Sequence, residues 1–264
     1  MRLPAPIIRS LCAMLVGLTT QPVFAARNGT HQDAGTVAEQ YLLAAANQER
    51  EQRGLAPLHR DPHLARAAAQ HALLMASQGT ISHQFADEPA LASRGSEAGV
   101  AFSSISENVA EAPSAVQIHY MWMHSPHHRE NLLNPAADSV GISVIARAGD
   151  LYAVEDFAKT VRSVSFSDQE LAIGQLVARS GLTIAVDPED IAVARRTCSM
   201  SNGYAGTRRP WFIMRFTSDS LSRLPDQLQA KINSGRYREA AVGACSNTQH
   251  SYFTSYSIAV LLYP

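Results

Sequence analysis

Ser125 and His128 stand one helical turn apart in the stretch Trp122-Met123-His124-Ser125-Pro126-His127-His128-Arg129, a spacing at which an imidazole can take the proton of a hydroxyl nucleophile. Two features count against that chemistry. Ser125-Pro126 has the form of an N-cap followed by proline at the first helical position, which assigns the serine to a helix start. No G-x-S-x-G elbow and no H-E-x-x-H helix occurs elsewhere. On spacing alone, His83 and Glu107 read as loop residues that satisfy backbone groups. His124 and His127 read as solvent-facing neighbours, His119 as a helix-face residue and Arg129 as a structural cation. Asn108 and Asn131 fit loop ties made by side-chain to backbone bonds, and Trp122 and Phe157 fit the core.

Three cysteines remain to be placed. Arg2 and Arg9 precede an apolar run through Leu11, Met14, Leu15, Val16 and Leu18, closed by Val23-Phe24-Ala25. This is the layout of a secretory signal peptide cleaved after Ala25, and the run is too short to span about 30 Å of hydrocarbon. Cys12 leaves with the peptide. Cys198 and Cys245 are then an even pair in an exported chain, where a disulfide is the expected state. Closing that loop stabilises by about 4 kcal/mol in the chain-entropy view. No C-x-x-C pair and no Cys/His zinc spacing gives the thiols another role. The 264 residues are 46% hydrophobic and 17% charged with a formal net charge of −1. That length suits two domains, and that balance gives no field to favour nucleic acid or an anionic membrane.

Elements must position any site. After a polar leader at 26–33, Thr36 and Glu39 form a capping-box signature for a helix with Val37, Tyr41, Leu42, Ala45 and Ala46 on its apolar face, ending near Gly54. Asp61-Pro62 starts a second helix, whose face Leu64, Ala67, Ala68, His71, Ala72 and Met75 runs to Gly79. A third helix is expected over 114–124, with Val116, Ile118 or His119, Tyr120 and Trp122 as burial candidates. Strands are expected over 140–146 and 151–157 around the turn dipeptide Gly149-Asp150. Composition shifts after Lys159. Beyond it we expect a helix over 167–180, strands over 211–217 and 256–262, and a helix over 220–234 around Pro225. No internal repeat is visible. Arg208-Arg209 beside Trp211 reads as an exposed basic pair at a turn, and His250 is isolated. The expected class is α+β throughout.

Five segments in order carry a family resemblance: Ile81-Ser82-His83; Ser106-Glu107-Asn108-Val109-Ala110; the run from Trp122 to Pro135; Val140-Gly141-Ile142; and Leu151 to Ala158. They resemble the bacterial branch of the CAP, or SCP-like, family over 34–159. The resemblance implies an α-β-α sandwich with an antiparallel sheet, here followed by a smaller disulfide-bonded α+β domain at 160–264. It also implies a polar cleft lined by His83, Glu107 and His128. Two imidazoles and a carboxylate suit a divalent ion such as zinc; without metal they can trade protons near pH 6.5. Many relatives supply a second glutamate where Ser125 stands, so Glu155, where relatives carry glutamine, is the candidate second carboxylate. If Glu155 points away from His83 and His128, that role falls.

The family's associations with sterol, lipid and cell-wall contact imply an exported binding module for a small ligand, lipid or envelope component. The alternative is a metal-assisted hydrolase in which His83, Glu107 and His128 activate water. No nucleic acid partner and no membrane span after signal cleavage are expected. In the 160–264 segment no constellation of chemistry-bearing residues stands out.

Overall fold

Reciprocal capping opens the first helix of the computed structural model, which describes Met1, residues 35–246 and residues 252–264. The expected signal peptide and leader, and His250, lie outside the described residues. Thr36 accepts from the Glu39 backbone N–H at 3.3 Å and Glu39 Oε2 accepts from the Thr36 N–H at 2.8 Å, starting α1 (Val37–Glu51). After β1 (His59–Arg60), Asp61 caps α2 (Pro62–Gln78) by accepting from the His63 and Leu64 N–H groups. Gly79, left-handed at φ 67°, closes that helix. Then follow α3 (Leu91–Glu97), β2 (Phe102–Ala112), α4 (Ala115–His124), α5 (Pro126–Leu132), β3 (Ser139–Arg147) and β4 (Asp150–Thr160).

The four strands lie in the order β1-β3-β4-β2, with β1 parallel to β3 and the other pairs antiparallel. Side chains alternate across the sheet. One face buries Val140, Ile142, Ala153 and Phe157 against Leu42 and Ala46 of α1, Ile118 and Trp122 of α4, and Leu132 of α5. The other sets Val109, Tyr152 and Val154 against Ala68, Ala72 and Met75 of α2. This is the expected three-layer α-β-α sandwich. Gly141 lets α2 lie directly on β3, because a Cβ there would stand 2.1 Å from the Leu64 carbonyl carbon. The buried structural cation is Arg50, whose guanidinium donates to the carbonyls of Ala56, Leu132, Asn134 and Ala137. Arg129 donates to the Met123 carbonyl.

From 160 onward come α6 (Phe166–Arg179), β5 (Thr183–Ile184), α7 (Pro188–Cys198), β6 (Phe212–Ser218), α8 (Asp226–Ile232), β7 (Glu239–Cys245) and β8 (Tyr256–Tyr263). Their sheet has the order β5-β7-β8-β6, and a Cys198–Cys245 disulfide ties the end of α7 to the end of β7. Both halves are α+β, and among the described residues no helix is long and apolar enough to cross a membrane.

Several expectations need correction. The hairpin turn is Ala148-Gly149, both at positive φ, with Asp150 already paired to Arg147. On α1, Val37 and Tyr41 are exposed; on α4, so are Val116 and Tyr120, and only Ile118 and Trp122 are buried. The helix around Pro225 covers only Asp226–Ile232, because proline has no N–H for a preceding turn and sits at its N-cap. The helix at Pro188–Cys198 is additional. Its start, Asp187 accepting from the Glu189 N–H before Pro188, repeats the form of Asp61-Pro62.

Candidate functional site

Strand β2 is the sheet's edge on one side, so chain from both faces meets at its rim. Glu107 projects from β2 toward the α2 face, buried. Its Oε2 accepts from Arg94 of α3, a short ion pair, and its Oε1 faces His83 Nδ1 at 2.9 Å. A carboxylate at Nδ1 places the hydrogen on that nitrogen and turns Nε2 outward. The His83 side chain is 62% exposed while that of Glu107 is 2% exposed. Arg94 also donates to the carbonyls of His83 and Pro89, fixing the loop that carries the imidazole.

Behind this pair is a buried polar layer. His71 of α2 presents Nδ1 to Glu88 Oε1 at 2.7 Å and Nε2 to the Ser82 carbonyl at 2.7 Å, and Nε2 lies 3.8 Å from Glu107 Oε2. Arg94 approaches Glu88 at 3.5 Å. Asp156 of β4 pairs directly across from Glu107. Burial first, then the Glu107 charge, hold its carboxyl well above the usual carboxylate range, with Arg94 pulling the other way. Neither Asp156 oxygen has a hydrogen-bond partner among the described residues, so burial favours its neutral form.

His128 comes from the opposite face. Asn108, the next residue on β2, donates to the His128 carbonyl at 3.0 Å, and Asn131 donates to Asn108 Oδ1 and to the Glu107 carbonyl. The two asparagines thus tie loops, as their sequence context implies. The His128 ring centroid lies 6.5 Å from that of His83. Its pKa is lowered by burial, and further by His83 and His127. His83 and Glu107 are thus in direct contact at the β2 rim, and the His128 ring approaches His83 from the other side.

Glu155 does not join them. It pairs with Asn108 and Ile142 on the face covered by α1, α4 and α5, one residue out of phase with Glu107. It is wholly buried with no hydrogen-bond partner for either oxygen among the described residues, and burial raises its pKa well above the ordinary value. The second carboxylate on the cleft face is Asp156. The sequence signal for it is Glu155-Asp156 inside an otherwise apolar strand: in a strand covered on both faces, two consecutive acids must send one to each side. His71 was legible as buried but not as a partner of Glu88. Arg94 and Glu88 gave no signal.

The donors do not fit a zinc ion as placed. Both Glu107 oxygens are engaged, His83 Nδ1 is engaged, and among the described residues no group of three His, Cys, Asp or Glu is arranged to hold a metal. The free polar surface is His83 Nε2 and the His128 ring.

An α-β-α sandwich with this polar rim is the class the geometry defines. Residues 43–157 match the CAP family, the cysteine-rich secretory protein family. A curated relative, uncharacterized protein YkwD of Bacillus subtilis (strain 168), is 26% identical over 108 residues, covering 40% of this chain and 42% of the relative. Among solved structures, an outer surface protein from Borrelia burgdorferi matches with 22% identity and a TM-score of 0.44, over 47% of this chain and 92% of that one. An extracellular protein containing a SCP domain from Bacillus anthracis str. Ames matches with 25% identity and a TM-score of 0.44, over 47% of this chain and 40% of that one.

Proposed function

We propose that this chain is an exported protein whose CAP domain is a binding module, taking a small polar ligand or the polar end of a lipid or envelope component at the β2 rim. Export rests on the charged, apolar and small-residue layout of the first 25 residues. The observation that carries the binding reading is the His83 ring, held by a buried carboxylate and open to solvent beside a half-buried His128. One imidazole nitrogen offered outward from a rigid charged base suits hydrogen bonding to a ligand. Water activation by the same imidazole would need an electrophile-stabilising group beside it: Arg94 is committed to Glu107 and to the His83 and Pro89 carbonyls.

The test is imidazole NMR of the full chain titrated separately with dihexanoylphosphatidylcholine, muramyl dipeptide and zinc chloride. Saturable, joint movement of the His83 and His128 resonances with either organic probe, lost in His83→Ala, supports the reading. Movement with zinc alone, or hydrolysis of a probe that depends on His83, replaces it with the metal or enzyme reading.

A further inference from the structure

The two sheets have one plan. Each begins with a helix and a two-residue strand, then a helix packed on the sheet, to which the first half alone adds the short α3. An edge strand, a helical connection and a final antiparallel pair follow. The orders β1-β3-β4-β2 and β5-β7-β8-β6 correspond position by position, and β5 is parallel to β7 as β1 is to β3. The bonds correspond as well. His59 N–H donates to Asp138 and Asp61 N–H to the Val140 carbonyl; Thr183 N–H donates to Arg238 and Ala185 N–H to the Ala240 carbonyl.

This correspondence places Val144 on Ala244, since β1 meets β3 at Ser139 and Val140 and β5 meets β7 at Glu239 and Ala240. At both positions the strand N–H donates to a glutamate from the first helix, Glu39 in one half and Glu170 in the other. Each glutamate also meets an arginine, from β1 in one half (Arg60) and from α7 in the other (Arg195), so that contact is not itself shared. Gly141 and Gly243 each stand where a Cβ would meet the backbone of the packed helix, at 2.1 and 2.2 Å, although in this register Gly243 falls on Ser143, two residues further along the strand. A shared strand order alone has many origins; a shared order with the same glutamate-to-strand bond does not.

We infer that 160–264 is a second, diverged copy of the 34–159 sandwich, and that its version of the rim cleft binds a carboxylate-bearing saccharide. The row Gly141, Asp156, Glu107 across the first sheet corresponds to Ala241, Leu261, Ile213 in the second; the next row, Ile142, Glu155, Asn108, corresponds to Val242, Val260, Met214. Hydrocarbon has replaced every carboxylate. The segment between helix and edge strand, which delivers His83 and Arg94 in the first copy, delivers Tyr204, Arg209, Pro210 and Trp211 in the second.

With Phe212 and Ile213 these residues line a hollow of about 530 Å³, room for one or two sugar rings. Trp211 is 60% exposed there, although its backbone N–H is anchored to the Leu262 carbonyl. The two neighbouring arginines differ. Arg208 is spent, bonded through both terminal nitrogens to Glu239 and lying over the Tyr263 ring. Arg209 is exposed, with no ion pair or hydrogen bond among the described residues. An anchored, exposed indole takes the C–H face of a sugar ring, and a free guanidinium beside it takes a carboxylate bidentately. Sugar acids present both.

The test is titration of the full chain with glucuronic acid and N-acetylmuramic acid, with glucose, N-acetylglucosamine and acetate as controls. Binding is read by calorimetry and by Trp211 fluorescence, to which Trp122, buried, contributes a solvent-insensitive background. We expect saturation by a sugar acid below about 10 mM, at least about tenfold weaker binding of the neutral sugars, and no change in His83→Ala. Trp211→Ala should abolish binding, and Arg209→Gln should erase the preference for the acid; unaltered melting temperatures would show both variants folded. No saturation by either sugar acid overturns the cleft assignment, as does acetate binding equally well or a Trp211→Ala variant that still binds. An experimental structure with β5 antiparallel to β7 overturns the correspondence of the copies.

Discussion

Glu107 on β2 and Asp156 on β4 face each other across the sheet, both buried, and Arg94 is bonded to Glu107. Burial and then the Glu107 charge hold the Asp156 carboxyl well above the ordinary range, with Arg94 pulling the other way. The native pKa of Asp156 is raised above its unfolded value. Its contribution to stability is therefore full below about pH 4 and is lost as pH rises through the native pKa, at up to about 1.4 kcal/mol per pH unit. Asp156→Asn keeps a neutral donor opposite Glu107 and removes the titration. Urea unfolding across pH 4 to 8, a range of about four units, should show a flatter stability profile in the variant than in the wild type. Parallel profiles would refute the raised Asp156 pKa.

Glu155 tests the assignment of faces. It lies in the same strand but among Ile142, Ala153 and Phe157, without a partner for either oxygen among the described residues. Glu155→Leu replaces an unsatisfied buried acid with hydrocarbon of similar size, as Val260 does at the corresponding place in β8. We expect a gain of about 1–3 kcal/mol at neutral pH, with unchanged His83 and His128 titrations. A loss of stability together with altered histidine titration would put Glu155 back at the cleft.

The two histidines should titrate as neighbours. His128 is held below the ordinary imidazole value by burial first and then by His83 and His127. Its depressed native pKa means that its contribution to stability is present above the unfolded pKa and is lost as pH falls through the native one. In His83→Ala one positive neighbour is gone, so the His128 Cε1–H resonance should titrate at higher pH than in the wild type. If its midpoint stays fixed, the rings are not electrostatic neighbours.

How much of this could be read in advance depended on which physical rule each residue obeyed. Capping boxes, Asp-Pro helix starts and the apolar face of α2 depend on neighbours within a turn, and Thr36, Asp61 and Leu64 to Met75 fold as their spacing implies. Tyr120 and Val37 obey the helical period yet are exposed, because the period fixes a face and not the presence of anything to cover it. Arg94 and Glu88 find Glu107 and His71 only through tertiary contact. The repetition of the sandwich was hidden for a similar reason. What the halves share is backbone pairing and one glutamate-to-strand bond, while the interior exchanged acids for hydrocarbon.

Gly141 and Gly243 make the packing of helix on sheet testable in each half. A Cβ at Gly141 would meet the Leu64 backbone, and one at Gly243 the Ala194 backbone. Neither contact can be relieved by rotating a side chain, so Gly141→Ala and Gly243→Ala must each push a helix off its sheet. We expect a loss of about 3 kcal/mol or more for each, read by urea unfolding. The disulfide at the end of α7 covalently retains the second helix, so cysteine-free Gly243→Ala should lose more than the two changes separately. Gly149→Ala is the control. It sits at φ 97° in the β3–β4 turn with nothing within 4 Å of its Cβ, so its cost should be backbone strain alone, about 1–2 kcal/mol. Were Gly141→Ala or Gly243→Ala no worse than this control, the helices would not rest on the strands at these glycines.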